Sequence, residues 1–383
     1  MLQRKKVVFI GVTKPTPPGS LSQPYKLLEL IAISGELPAD QLGRLPGGVS
    51  YKANIIKMLK QRRLLLTYYK NGLRGYRLTA SAKALLLDRH PERFSFYLTG
   101  STGTNHIKSE FTSRLRLHRV AEATVTMSGA GVSIFRDEKP PVFSPFWTPA
   151  MSLQIEAPAF YSSREIKELG TEFVKILGAR AAGVLLTDET VYVVYNMGGS
   201  LMRWNYKSEM RTKALMKSVL CHERLSAQYA PDAVRGLILG GGMELAYELL
   251  TNRGGKNYFI LDGSYDSFYY LTNDRQGERL LQLLCDKTLD DGLRELLASD
   301  LQARRPGGTI ENDAIDGNGC PVLFAYLCDL PRIMRFDTAL RLQNKTGTLI
   351  CFDHQADALR RYCGERVHIQ TIDFELFERR FFA

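Results

Sequence analysis

Residues 50–78 read SYKANIIKMLKQRRLLLTYYKNGLRGYRL, and two different periodicities meet in them. At 100° per residue, Lys52, Ile55, Ile56 and Leu59 share one side of a helix, while Ser50, Tyr51, Asn54, Lys57 and Gln61 share the other. Ser50 is the expected N-cap and Arg62-Arg63 the expected end. The next two runs, LLLTYY and LRGYRLT, flank Lys70-Asn71-Gly72. Asn-Gly readily supplies the two positive φ angles of a tight hairpin turn, so the spacing predicts two antiparallel strands. No Asp or Glu occurs between residues 50 and 78, whereas Lys52, Lys57, Lys60, Arg62, Arg63, Lys70, Arg74 and Arg77 do.

Working outward, Pro24 sits where a first-turn proline is tolerated, and Tyr25, Leu27, Leu28, Ile31 and Ala32 recur at helical spacing until Gly35. The stretch LPADQLGRLPGG predicts a second, short helix with Pro38 in its first turn, and ASAKALLLD predicts another beyond the hairpin. Three helices, a hairpin and a helix follow the order of a winged helix-turn-helix, expected over residues 21–90. Residues 1–20 are an arm with a short strand at 7–12 and the Pro-rich TKPTPPGS. A helical connector is expected over 91–150, including a helix in SEFTSRLRLHRVAEATVTM. From 151 to 383 helices alternate with apolar strands, the rhythm of an α/β domain, with a subdivision expected near 250. The fold class is α/β, α+β when taken over the whole chain. A helix is expected over 162–169, strands in AAGVLLTDE and TVYVVYNMG, and a βαβ unit in the last stretch.

The net charge of +11 is concentrated at one end. Residues 1–100 hold 17 Lys and Arg against 5 Asp and Glu, residues 101–150 hold 6 against 4, and the remainder 28 against 31. Such asymmetry is the footprint of a polyanion partner. An anionic membrane surface is the competing partner, but no apolar stretch approaches the ~18 to 20 residues of a span, and a cytoplasmic protein without membrane attachment is expected. If the basic helix enters a major groove, Tyr51 and Asn54 face the base edges, with Ser50 on the same DNA-binding face, since Asn can pair bidentately with adenine. Lys52, Lys57, Lys60, Arg62 and Arg63 then position the helix on phosphates, and Lys70, Arg74 and Arg77 let the hairpin grip the backbone or minor groove. The plainer alternative is a solvated basic face used for protein contact. Cys221, Cys285, Cys320, Cys328, Cys351 and Cys363 show no zinc spacing and read as reduced thiols.

A catalytic alternative exists. Glu165, Asp188, Glu189 and Asn205-x-Lys207 follow the order of a degenerate restriction-nuclease core, in which acids hold a metal and a lysine orients water. Asn205 in place of an acid removes a charge that such a metal needs. His118, between Arg116 and Arg119, reads as a packing or surface residue. Gly240-Gly241-Gly242 lacks the ending of a phosphate loop and reads as a tight strand-to-helix turn. Asp262, Asp266, Asp329 and Asp353 fit turn and capping roles. No cofactor, metal site or catalytic set is expected.

The segments RLRLHRVAEATVTMSGAGV, FYSSREIKELG, the step from Arg180 to Gly183, VVYNMGG and the stretch from Trp204 to Glu209, behind the basic amino-terminal unit, resemble the replication-relaxation proteins of mobile elements in Gram-positive bacteria. The resemblance covers about residues 20 to 225. It implies a double-stranded DNA-binding accessory factor in plasmid replication or conjugative transfer, working beside a relaxase, a helicase or another replication protein, and it brings no catalytic residues. A homodimer is compatible with that role. A metal-dependent DNA endonuclease and a ligand-responsive winged-helix transcription factor are the alternatives.

Overall fold

A computed structural model describes residues 18–19, 22–149, 151, 153–176, 178–252, 258–259, 261, 263–304 and 309–382. The strand expected at 7–12 and Asp262 lie outside them. The chain mixes helices with mixed sheets, as expected of an α/β class. It divides into two compact units, Met1–Lys108 and Ser109–Ala383. The connector expected over 91–150 is shared between them.

In the first unit α1 (Gln23–Ser34) starts with Pro24 in its first turn and stops at Gly35, whose φ is 82°. Tyr25, Leu28, Ile31 and Ala32 are fully buried, which explains their spacing. A short strand β1 (Glu36–Pro38) follows, so Pro38 pairs opposite Gly75 and does not open a helix. Only Ala39–Arg44 remain before LPGG, and they form a 3-10 turn in place of the expected second α-helix. Helix α2 (Val49–Gln61) buries Ile55, Ile56 and Leu59; Gly48 is its N-cap and Ser50 lies inside its first turn. Strands β2 (Leu65–Lys70) and β3 (Leu73–Leu78) form the hairpin with Lys70 opposite Leu73. Asn71 and Gly72 take φ of 53° and 79°, the two positive angles a two-residue turn needs. β1 pairs with β3, giving the order β1-β3-β2. Thr79 accepts from the Ala82 N–H at 3.2 Å and caps α3 (Ala80–Arg89), which α4 (Pro91–Leu98) follows.

Glu36, 0 % exposed, binds Arg77 opposite it in the ladder, at 2.6 Å to Nη2 and 2.8 Å to Nε. The guanidinium stacks 3.7 Å from the Tyr68 ring centroid. A Cβ on Gly75 would overlap the Glu36 carboxylate. Gly75→Ala is therefore expected to destabilise this unit by about 1–3 kcal/mol, the cost of overpacking a filled site. A lowered urea midpoint at unchanged slope is the check.

The second unit opens with α5 (Phe111–Gly129), in which His118 is buried. Strands β4 (Ala159–Ser162), β5 (Ala181–Leu186) and β6 (Val191–Gly198) form an antiparallel meander. Helix α6 (Tyr206–Met216) continues through a wider turn to Arg224 and leads to β7 (Val234–Gly240). Helix α7 (Met243–Thr251) leads to β8 (Phe268–Thr272), then α8 (Arg275–Cys285). The order is β4-β5-β6-β7-β8, with β6, β7 and β8 parallel. Residue 250 thus falls within a crossover of one sheet. The sheet changes only after α9 (Lys287–Ala298).

Beyond it come β9 (Gln302–Ala303), β10 (Ala314–Ile315), β11 (Pro321–Phe324), α10 (Leu330–Leu342), β12 (Gly347–Phe352), α11 (Asp353–Cys363), β13 (Val367–Ile372) and α12 (Phe374–Phe381). β9, β10 and β11 are antiparallel, and β11, β12 and β13 parallel. Both sheets therefore follow one path: a three-strand meander, then two helical crossovers. Parallel strands covered on both faces need continuous apolar runs, and β6 is buried from Val191 to Met197. The helix expected over 162–169 is absent: residues 159–162 complete β4, and a 3-10 segment occupies Ile166–Ile176.

Candidate nucleic-acid interface

Packing Ile55, Ile56 and Leu59 inward turns the opposite side of α2 to solvent. Ser50, Tyr51, Asn54, Lys57 and Lys60 are exposed there. The Tyr51 ring lies against Gly47, where φ is 104° and a Cβ would collide with it. That contact fixes the ring at the mouth of the helix. Arg62 is half-buried, and Arg63, at φ 54°, ends the helix with its side chain exposed and its carbonyl accepting from Thr79 at 2.6 Å. Lys70 and Arg74 are exposed beside the hairpin turn. Tyr69, 70 % exposed, and Leu66 show apolar surface on β2 that the sequence reading did not single out.

Two basic residues expected on this face turn away from it. Lys52, 9 % exposed, donates to the Gly43 carbonyl at 2.6 Å and ties α2 to the 3-10 turn. Its stem follows the apolar stripe, which is why the helical wheel placed it among the packed residues. Arg77 is held by Glu36 and Tyr68. Both are structural cations.

The nuclease-like set is not brought together. Asp188 lies exposed in the turn before β6, whereas Asn205 and Lys207 come after its end. Eight residues of strand separate the two, roughly 26 Å at ~3.3 Å per residue. Asn205 caps α6 by accepting from the Ser208 N–H at 3.2 Å, and Lys207 is exposed in its first turn. Glu189 pairs with Lys287 at 2.7 Å. Glu165 is buried against Lys139 at 2.9 Å. Among the described residues no group of three His, Cys, Asp or Glu could hold a metal ion.

Gly240 to Gly242 form the tight turn into α7: the Gly241 N–H donates to Gly198 at 2.6 Å, and Tyr270 donates to the Gly242 carbonyl at 2.5 Å. Asp329 accepts from the Phe268 N–H at 3.2 Å, Asp266 is exposed, and Asp353 is the first residue of α11. All six cysteines are free, and burial pushes the Cys351 and Cys363 thiols up to about 12.

A polar network that the sequence did not announce crosses the ends of β6 and β8. Asn196 donates to Glu122 at 2.9 Å and to the Arg119 carbonyl at 2.7 Å, and accepts from Asn273 at 3.0 Å. Thr126 donates to Asn273 at 2.9 Å. Its hydrogen-bonded partners lie as much as 147 residues apart, so no local spacing could reveal it. Nearby, Glu209 is 0 % exposed and accepts from the Arg180 N–H at 2.9 Å.

Burial raises the Glu209 carboxyl from 4.5 to about 7, against the opposing pull of the Arg180 N–H. Because its folded-state pKa lies above the unfolded value, its contribution is fully present below pH 4.5 and lost as pH rises to about 7. That loss is about 3 kcal/mol, at ~1.4 kcal/mol per pH unit. Glu209→Gln is expected to remove this component from the pH profile of the melting temperature. An unchanged profile would show that the carboxyl titrates alike in the folded and unfolded chain.

No helix among the described residues is long and apolar enough to cross a membrane. Comparison with models of known families, with curated proteins and with solved structures gives no match to this chain.

Proposed function

We propose that the chain is a double-stranded DNA-binding protein whose first unit is a winged helix-turn-helix, with α2 as recognition helix and the β2–β3 hairpin as wing. The observation that carries this reading is the outward face of Tyr51, Asn54, Lys57, Lys60, Arg63, Lys70 and Arg74, uninterrupted by any carboxylate from residue 50 to residue 78. Cations on such a face displace counterions from phosphates, and the amide and phenol at its start suit base edges. On the resemblance to replication-relaxation proteins, the protein is an accessory factor in plasmid replication or conjugative transfer. It acts beside a relaxase or helicase in the cytoplasm without catalysis of its own.

Selection from a random duplex library is expected to yield one preferred site. Asn54→Ala should then cost about 1–3 kcal/mol on that site and nothing on unrelated duplexes. Recovery of no preferred sequence would remove the base-reading role of α2. A selected site at an origin of replication or transfer supports the accessory role. A site at a metabolic promoter would replace it with a ligand-responsive regulator.

A further inference from the structure

The second unit holds a cleft of about 210 Å³ where its two sheets meet. The first sheet ends at β8, and the chain leaving β11 closes that edge: the Tyr270 N–H donates to the Cys328 carbonyl at 3.0 Å, and Tyr269 pairs with Asp329 as an isolated antiparallel bridge. Cys328 makes the bend at a φ of 50°, a positive angle that a residue with a Cβ seldom takes. One wall of the cleft is therefore the carboxyl end of β11, the first of three parallel strands. Ligands of open α/β sheets sit outside such ends.

Three arginines line the cleft, Arg235 from β7, Arg294 from α9 and Arg332 from α10. Arg235 is half-buried in a strand whose other residues are buried and apolar or glycine. A cation at such a position is costly unless something compensates its charge. Its Nη1 donates to the Tyr269 hydroxyl at 3.1 Å, and among the described residues it forms no ion pair.

The acids around it are committed. Asp313 accepts from Arg294 at 3.4 Å, from Arg332 at 2.8 Å and from the Phe324 N–H at 2.7 Å. Asp290 accepts from Arg294 at 2.7 Å and from the Tyr326 hydroxyl at 2.6 Å. Glu311 accepts from Arg332 at 2.9 Å and from Arg335 at 2.8 Å, and Asp329 from the Phe268 N–H at 3.2 Å. A guanidinium carries about five N–H donors. Among the described residues Arg235 uses one of its own, and Arg294 and Arg332 two each. Donors are left over, and the charge of Arg235 is unmatched.

We propose that this cleft binds a compact anion through a carboxylate or phosphate group held by Arg235, with Arg294 and Arg332 supplying further donors. The fork of a guanidinium matches the paired oxygens of either group. The volume lies below the ~300 Å³ at which pockets begin to take drug-sized molecules, so the ligand is small. The site belongs to the second unit alone and does not rest on the DNA-binding reading.

The test is isothermal titration of the full-length chain with sodium malonate and, separately, with sodium phosphate, at an ionic strength matched with sodium chloride. Saturable binding of one anion per chain is expected, with half-saturation below about 10 mM. Saturation by malonate alone assigns a carboxylate ligand, by phosphate alone a phosphate ester, and each of these upholds the site. Arg235→Gln should weaken binding about tenfold or more, because a charged hydrogen-bond donor is lost. Tyr269→Phe removes only the hydroxyl that steadies Arg235 and should weaken binding about threefold. It reads the same site if the arginine variant fails to fold.

Heats no larger than those of chloride for both anions would overturn the proposal. Binding that neither Arg235→Gln nor Tyr269→Phe alters would belong to cations elsewhere on the chain and would overturn it equally.

Discussion

Replacing Lys57 and Arg74 together with alanine is expected to weaken binding to every duplex alike and to reduce the salt slope by up to ~2. Lys57 projects from the outward face of α2 and Arg74 from the hairpin, and both are exposed. They therefore sample two elements of the same unit. Lys52 and Arg77 make the contrast informative. They carry the same charge nearby, but one is bonded to the Gly43 carbonyl and the other to Glu36. Their removal should lower stability and leave the slope nearly untouched. As exposed substitutions, Lys57→Ala and Arg74→Ala should alter stability by no more than about 0.5 kcal/mol. Equal salt slopes for wild type and the Lys57/Arg74 variant would show that this face does not meet DNA.

The second large effect concerns Glu165. Its side chain is 4 % exposed and that of Lys139 1 %. The Lys139 ammonium also donates to the carbonyls of Ile134 and Phe160, and Glu165 accepts from the Ser162 N–H at 2.8 Å and its hydroxyl at 3.1 Å. Removing either partner strands a charge inside the unit, so Glu165→Ala or Lys139→Ala should cost about 3–5 kcal/mol. Lys139→Met combined with Glu165→Leu should lose much less than the sum of the single losses, because no ion is left unpaired. A urea-denaturation cycle measures this coupling. A Glu165→Ala chain as stable as wild type would refute the structural role and reopen a catalytic one.

These two experiments also mark where the sequence is legible. Local pattern carries the first unit: Asn71-Gly72 names its own turn, and Ile55, Ile56 and Leu59 name the buried face of α2. The same pattern indicates β5, β6 and the β12–α11–β13 unit, where apolar runs are long. It fails where the deciding contact is remote. Pro38 opens no helix because it is used opposite Gly75, and Ser162, expected to open a helix, instead ends strand β4 because β5 lies beside it.

The candidate sites divide in the same way. The outward face of α2 follows from helical spacing, yet spacing does not distinguish Lys57 from Arg77, whose partner Glu36 lies 41 residues away. Glu165, Asp188 and Lys207 stand in a suggestive order along the chain, but β6 holds Asp188 and Lys207 at its two ends.

The shared path of the two sheets carries a consequence for how they are assembled. In each, the meander comes first along the chain and the crossovers afterwards. The β5–β6 and β10–β11 connections close short loops at small entropic cost, whereas β6 must wait for β7 across α6, and β7 for β8 across α7. A chain emerging from the ribosome thus presents a finished edge before each distant strand arrives, so that strand joins an existing template. Growth proceeds in one direction, from β6 to β8 and again from β11 to β13. Until each next strand docks, the waiting edge is the point at which synthesis is most exposed to wrong partners.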